Sequence, residues 1–154
     1  MTQEEIIACL SQGEGARVEF KEAEAGAPSS LYETIVSFSN KDGGTILLGV
    51  ADSGTVCGIN PVHTFEMKQN ITTACNNPEF INPPISLTPI QIEFEGNQLL
   101  ALKIPVSSQV HMLNGVIYDR ENDSDIKVTD HARISNMYFR KRDVFTENQI
   151  FPAV

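Results

Sequence analysis

The sequence predicts an α+β fold: one domain, a mixed β-sheet with flanking helices, and an antiparallel hairpin in the second half. Three observations predict it. Stretches with helical and strand periodicity alternate through the first half of the chain, so one layer type cannot account for it. Two alternating runs, Pro89–Glu95 and Gln98–Pro105, flank Glu95-Gly96-Asn97, a strong hairpin signal. The chain has 154 residues, 41% of them hydrophobic, enough for one packed core and without an internal repeat.

The elements follow in order. Glu4–Leu10 reads as a helix capped by Thr2 and broken at Gly13-Glu14-Gly15. Arg17–Lys21 alternates charged and apolar residues, a half-buried strand with Val18 and Phe20 inward and Arg17, Glu19 and Lys21 outward. Ser29 or Ser30 caps a helix that buries Leu31, Ile35 and Phe38 and stops at Asn40–Gly44. Thr45–Val50 is almost wholly apolar, as in a strand covered on both faces. Asp52-Ser53-Gly54 turns the chain, and Thr55–Gly58 begins a partner strand. Met67, Ile71 and Ala74 mark a helix over Thr64–Asn76, ended by Asn77-Pro78. Asn82-Pro83-Pro84 is an extended connector before the hairpin. Gly115–Arg120 reads as a short strand, Glu121–Asp125 as an acidic loop, and Asp130 as the cap of a last helix with Ile134, Met137, Tyr138 and Lys141 on one face. Residues 1–142 form the expected domain; residues 143–154 read as a tail or a linker to a further C-terminal region.

Composition narrows the function classes. No window approaches the roughly 18 apolar residues of a membrane span. MTQEEIIACL lacks the basic start of a signal peptide. Cys9, Cys57 and Cys75 are widely spaced and form no CxxC pair, which points to reduced thiols and a cytoplasmic location. His63, His111 and His131 are scattered, so a zinc site is not expected. The net charge of −9 means that nucleic-acid binding requires a local basic patch. Arg140-Lys141-Arg142 is the one basic triplet, and it also suits a helix C-terminus, whose dipole favours cations.

Gly43-Gly44 suggests a phosphate-binding turn at first sight. The pair follows a helix and precedes a strand, the reverse of the dinucleotide fingerprint, and GxxxxGK[ST] is absent. A helix C-terminus repels phosphate, so the pair reads as a helix stop. Carboxylates carry more chemistry. Glu14 precedes the first strand, Glu19 lies on it, and Asp52 follows the apolar strand. If the two strands are neighbours, the three acids converge, and two or three carboxylates suit a hard divalent cation that activates water.

RVEFKEA, ETIVSFSNKDGGTILLGVADSGTVCGI and GVIYDR together resemble the Schlafen AlbA-like domain family. Glu19-Phe20-Lys21, Ser37-Phe38-Ser39-Asn40, Gly43-Gly44, Gly49-Val50, Asp52, Gly54 and Gly58 match its pattern in order and spacing, over approximately Gly13–Arg120. Ala51 stands where the family often has a first Asp, and serines flank Phe38 in place of alanines. The resemblance implies a DNA-binding module of a bacterial-type transcriptional regulator. It also implies an alternative, a metal-dependent endoribonuclease using Glu14, Glu19 and Asp52 with Mg²⁺ or Mn²⁺; the first reading needs no cofactor. A third reading is a docking or oligomerisation module whose acidic surface serves protein contacts, homo-oligomers included. DNA is the expected partner and RNA the alternative, bound through Arg17, Lys21, Lys41, Arg120, Arg133, Arg140, Lys141 and Arg142. Tyr118 and Tyr138 are the aromatics placed to stack on unpaired bases.

Overall fold

A computed structural model of the chain describes residues 1–150, and of residues 143–150 only the helical backbone. Of the proposed tail at 143–154, the backbone of 143–150 continues the last helix, and residues 151–154 lie outside the described residues. Helix α1 (Gln3–Gln12) starts as expected: the Thr2 hydroxyl accepts the Glu5 N–H, and Gly13, at φ 77°, closes the helix. Strand β1 (Val18–Lys21) runs parallel to β2 (Gly44–Leu48), pairing Phe20 with Leu47. β2 then pairs antiparallel with β5 (Asn97–Ile104), and β5 with β4 (Ile90–Phe94), the predicted hairpin. The resulting order is β1-β2-β5-β4.

Both faces of this sheet are covered. On one, Ile6 of α1 packs with Val18, Phe20, Leu47, Ile92, Phe94 and Leu99. On the other, Ile46, Leu48, Leu100 and Leu102 meet Leu31, Ile35 and Phe38 of α2 (Ser30–Asn40) and Met67 and Ile71 of α3 (Pro61–Cys75). Each such aliphatic side chain stabilises the fold by about 1.5–3 kcal/mol. Double coverage changes the reading of β1. It is buried on both sides, and Glu19 is only 8% exposed instead of facing solvent.

The chain also builds a second sheet, where one was expected. β3 (Ile81–Asn82), β6 (Met112–Leu113), β7 (Val116–Glu121) and β8 (Ser124–Val128) form an antiparallel sheet in that order. The acidic stretch taken as a loop is a tight turn at Asn122 plus the start of β8, with Asp125 paired across from Arg120. Thr55–Gly58 does not form a strand; it makes one bridge, Val50 to Val56, and otherwise folds back on the Gly49 carbonyl. Helix α2 lies between the two sheets and is buried along most of its length. Its cap differs from expectation too: Ser29 precedes it without a side-chain capping bond.

Helix α4 (His131–Ile150) covers the far side of the second sheet, where Met137 packs on Val110, Ile117 and Val128. Asp130 caps it as predicted, accepting the Arg133 N–H at 3.1 Å. Among the described residues no helix is long and apolar enough to cross a membrane, and Cys9, Cys57 and Cys75 are free thiols.

Candidate nucleic-acid interface

The glycine pair is steric. A Cβ on Gly44 would lie 2.7 Å from the Arg17 carbonyl oxygen and 2.7 Å from the Phe38 ring. Gly43, at φ 73°, would meet the Ile104 carbonyl oxygen at 2.6 Å. Neither residue tolerates a side chain, because here α2 turns directly into β2. Asn40, at the end of α2, is fully buried and clips the second sheet in place. Its Nδ2 donates to the His111 and Tyr118 carbonyls at 3.0 and 2.8 Å, and its Oδ1 accepts the His111 N–H at 2.7 Å.

The last carbonyls of this helix end, which lack partners within the helix, are met by cations from α4. Arg140 donates to the Asn40 carbonyl at 2.7 Å, and Lys141 to the Ser39 carbonyl at 2.9 Å. Two residues of the basic triplet, Arg140 and Lys141, do complement a helix dipole, but that of α2, not of their own helix. Lys141 is buried as a result, and burial first, then repulsion from Arg140, lowers its pKa to about 8. His111 sits beside it, its ring nitrogens 2.6 Å from the Pro83 carbonyl and 2.6 Å from the Ser107 hydroxyl. Because the carbonyl only accepts, Nδ1 carries the proton, and Ser107 donates to Nε2. Burial above all holds the His111 pKa below its usual value.

Arg120 was expected to touch phosphate and is instead fully enclosed between β1, α2 and β8. Its guanidinium donates to Glu19 at 3.0 Å, to Asp125 at 2.7 Å and to the Gly15 carbonyl at 2.7 Å, and lies 4.7 Å from the Phe38 ring centre. Thr34 and Ser37 of α2 donate to the same Asp125 carboxylate. Glu14 reaches over β1 to accept the Phe20 N–H at 3.1 Å and is hydrogen-bonded to Glu19. Burial first, and that contact second, push the Glu19 pKa up to about 8. Burial and the Glu14 carboxyl thus favour the protonated form of Glu19, and Arg120, which donates to it, opposes them.

The three acids do not gather. Glu14 and Glu19 meet, but Asp52 sits exposed in a turn on the α1 side of the sheet. In that turn Gly54 approaches the Leu10 carbonyl and the Phe20 ring, on the face opposite Glu19. Among the described residues no three His, Cys, Asp or Glu side chains are placed to hold a metal ion. A divalent cation does not fit this arrangement: the Arg120 guanidinium, 3.0 Å from Glu19, already fills the positive position.

A different cluster faces outward. Asp119, next to Arg120 on β7 but on the opposite face, is buried and receives three cations. Arg140 is 3.3 Å away, Arg133 3.4 Å and Lys41 3.9 Å, and Arg133 also lies 3.8 Å from Glu121. The three cationic side chains remain 34%, 33% and 36% exposed for Lys41, Arg133 and Arg140. Arg17 and Arg142 are exposed elsewhere, and Lys21 is half-buried, donating to the Ser30 hydroxyl at 3.2 Å. The carboxylate that organises this patch escaped sequence reading. Its signal was an Asp directly following the apolar run Val116-Ile117-Tyr118 of a short strand, where a charge needs partners.

Two packed sheets, a buried polar helix and this cationic surface define an α+β domain of the Schlafen type. The family described as Schlafen, AlbA_2 matches residues 14–129, and the chain belongs to it. Among solved structures, the N-terminal domain of a Nitrosomonas europaea protein, named for its relation to the ATP-dependent DNA helicase RecG, is similar. It is 25% identical with a TM-score of 0.54, covering 85% of this chain and 96% of that one. The DIP2311 protein of Corynebacterium diphtheriae shares the fold at 19% identity and a TM-score of 0.57, over 82% of this chain. This chain spans only 30% of that protein. No curated protein matches.

Proposed function

We propose that this domain binds nucleic acid, duplex DNA first, as a module of a transcriptional regulator. The observation that carries the reading is the set of partly exposed cations, Lys41, Arg133 and Arg140, held in place by buried Asp119. Fixing long side chains in advance reduces the entropy lost when they meet phosphates. The patch is a local positive surplus on a chain of net charge −9, so long-range steering is weak and binding depends on these contacts. Family membership supports the reading, as does the helicase-related name of a structural neighbour. The test is a gel-shift titration with duplex DNA over a range of salt. Replacing Lys41 and Arg133 together by Ala should weaken binding about tenfold or more and lower the salt slope by about two. Absence of binding by the wild-type protein at low salt would sink the proposal.

The endoribonuclease reading has the Glu14–Glu19 contact in its favour. Against it stand Arg120, bonded to Glu19, and the exposed turn that holds Asp52. No hydrolytic step follows from these residues. Cleavage of structured RNA with Mn²⁺, abolished by Asp52→Asn, would reinstate it.

A further inference from the structure

The basic patch occupies one flank of α4; the other flank borders a groove of about 800 Å³ between α4, β6 and the loops at Asn82 and Ser108. Tyr138 and Phe139 stand on its wall, 47% and 57% exposed. Ser135 and Arg142 lie on the same flank, and the Arg142 guanidinium is 5.7 Å from the centre of the Phe139 ring. Asn82 and Gln109 add amide donors and acceptors on the opposite wall.

Two physical facts single out an occupant. The chain carries 20 acidic residues against 11 Lys and Arg, yet none of the groove's lining residues is acidic and two are basic. The groove is thus a place from which negative charge has been removed, which suits an anionic ligand. Adjacent exposed aromatic rings are costly to leave in water and offer flat faces. A duplex presents only base edges and backbone, whereas an unpaired strand presents the faces of its bases for stacking, with phosphates alongside. The amides match base edges, which carry both donors and acceptors.

We infer that this groove binds a single-stranded polynucleotide, with unpaired bases stacked on Tyr138 and Phe139 and Arg142 beside the backbone. The inference rests on the nucleic-acid reading above and extends it to a second surface and a different form of the ligand. A transcription-linked module that grips duplex on one flank of α4 and an unpaired strand on the other would engage DNA at a junction of the two.

The chain has no tryptophan, so Tyr138→Trp creates a single reporter in the groove. Titration of this variant with short oligo(dT) and oligo(rU) should quench its emission, and the stronger of the two identifies the sugar preferred. Phe139→Ala should weaken single-strand binding about tenfold while leaving duplex affinity and the thermal midpoint unchanged, because the ring is exposed. If duplex binds but neither oligonucleotide quenches the reporter, and Phe139→Ala leaves their affinity unchanged, the groove inference falls and the duplex reading stands. Equal loss of single-strand and duplex binding in Phe139→Ala also overturns it. If neither duplex nor single strand binds at low salt, both proposals fall together.

Discussion

Asp119 and Arg120 are neighbours on β7, and the two-residue period of a strand sends them to opposite faces of the second sheet. Arg120 turns inward to α2 and β1 and is fully buried, and its partners Glu19 and Asp125 keep only 11% and 13% of their side chains exposed. Asp119 turns outward to α4, where it is buried but its three cations reach solvent. The inner network therefore stabilises the arrangement of the two sheets around α2. The outer one stabilises little but holds charge at a surface. Water decides the difference: a buried ion pair stripped of one member leaves the other unsolvated, whereas a half-exposed cation deprived of its partner is rehydrated.

The sharpest way to break that contrast is to remove one member from each side. Arg120→Leu should destabilise the domain by about 3–5 kcal/mol, because Asp125 loses its counter-charge and Glu19 and the Gly15 carbonyl lose their donor. Asp119→Asn should cost less than half of that, since Lys41, Arg133 and Arg140 turn to solvent and the amide oxygen still accepts hydrogen bonds. Urea unfolding midpoints of the two variants check this. Equal losses would mean that the outer cluster is structural rather than a surface device.

The inner network also sets a pH dependence. The folded-state pKa of Glu19, raised to about 8, lies above its value in the unfolded chain, 4.5. The unfolded state thus releases this proton first. The contribution of Glu19 is fully present below about pH 4.5 and is lost as pH rises through 8. Glu19→Gln removes the titration. Relative to wild type, the variant should gain about 1–2 kcal/mol between pH 5 and pH 9, the Arg120 contact offsetting part of the burial cost. His111, whose pKa is lowered, acts in the opposite sense by favouring the fold above its unfolded pKa. It is common to both proteins and cancels in the comparison. A parallel pH profile for the two would show that Glu19 is charged in the fold.

Sequence patterns carried the first sheet well and the second poorly, for physical reasons. α1, α2, α3 and the β4–β5 hairpin are long enough for periodicity and caps to speak, and the glycine pair followed from the order of elements alone. β3 and β6 are two residues each, too short for any period. β8 was masked by Asp125, whose acidity looks like a loop until Arg120 is seen across the ladder. The cations show the same limit at the site. Arg120 and Lys141 were grouped with Lys41 and Arg140 because charge is visible in a sequence and direction is not. Periodicity places Arg120 on the face of β7 opposite Asp119, but only the second sheet's position reveals which face is enclosed. The Glu14–Glu19 contact was legible from the family pattern. The separation of Asp52 was not, because it depends on which way a turn packs.

The smallest expected effect tests that separation. Asp52 is exposed, and among the described residues no hydrogen bond or ion pair holds its side chain, so Asp52→Asn should change stability by less than about 0.5 kcal/mol. Glu14→Gln should cost more, since the Glu14 carboxylate accepts the Phe20 N–H and also contacts the Glu19 carboxyl. Adding Mg²⁺ or Mn²⁺ supplies the discriminating readout. A site built from all three acids would raise the wild-type melting temperature with metal, and Asp52→Asn would abolish that rise. The geometry predicts no metal-dependent shift in either protein. A shift that requires Asp52 would mean that the turn swings across the edge of the sheet to join Glu14 and Glu19, and that Arg120 yields its place to a metal ion.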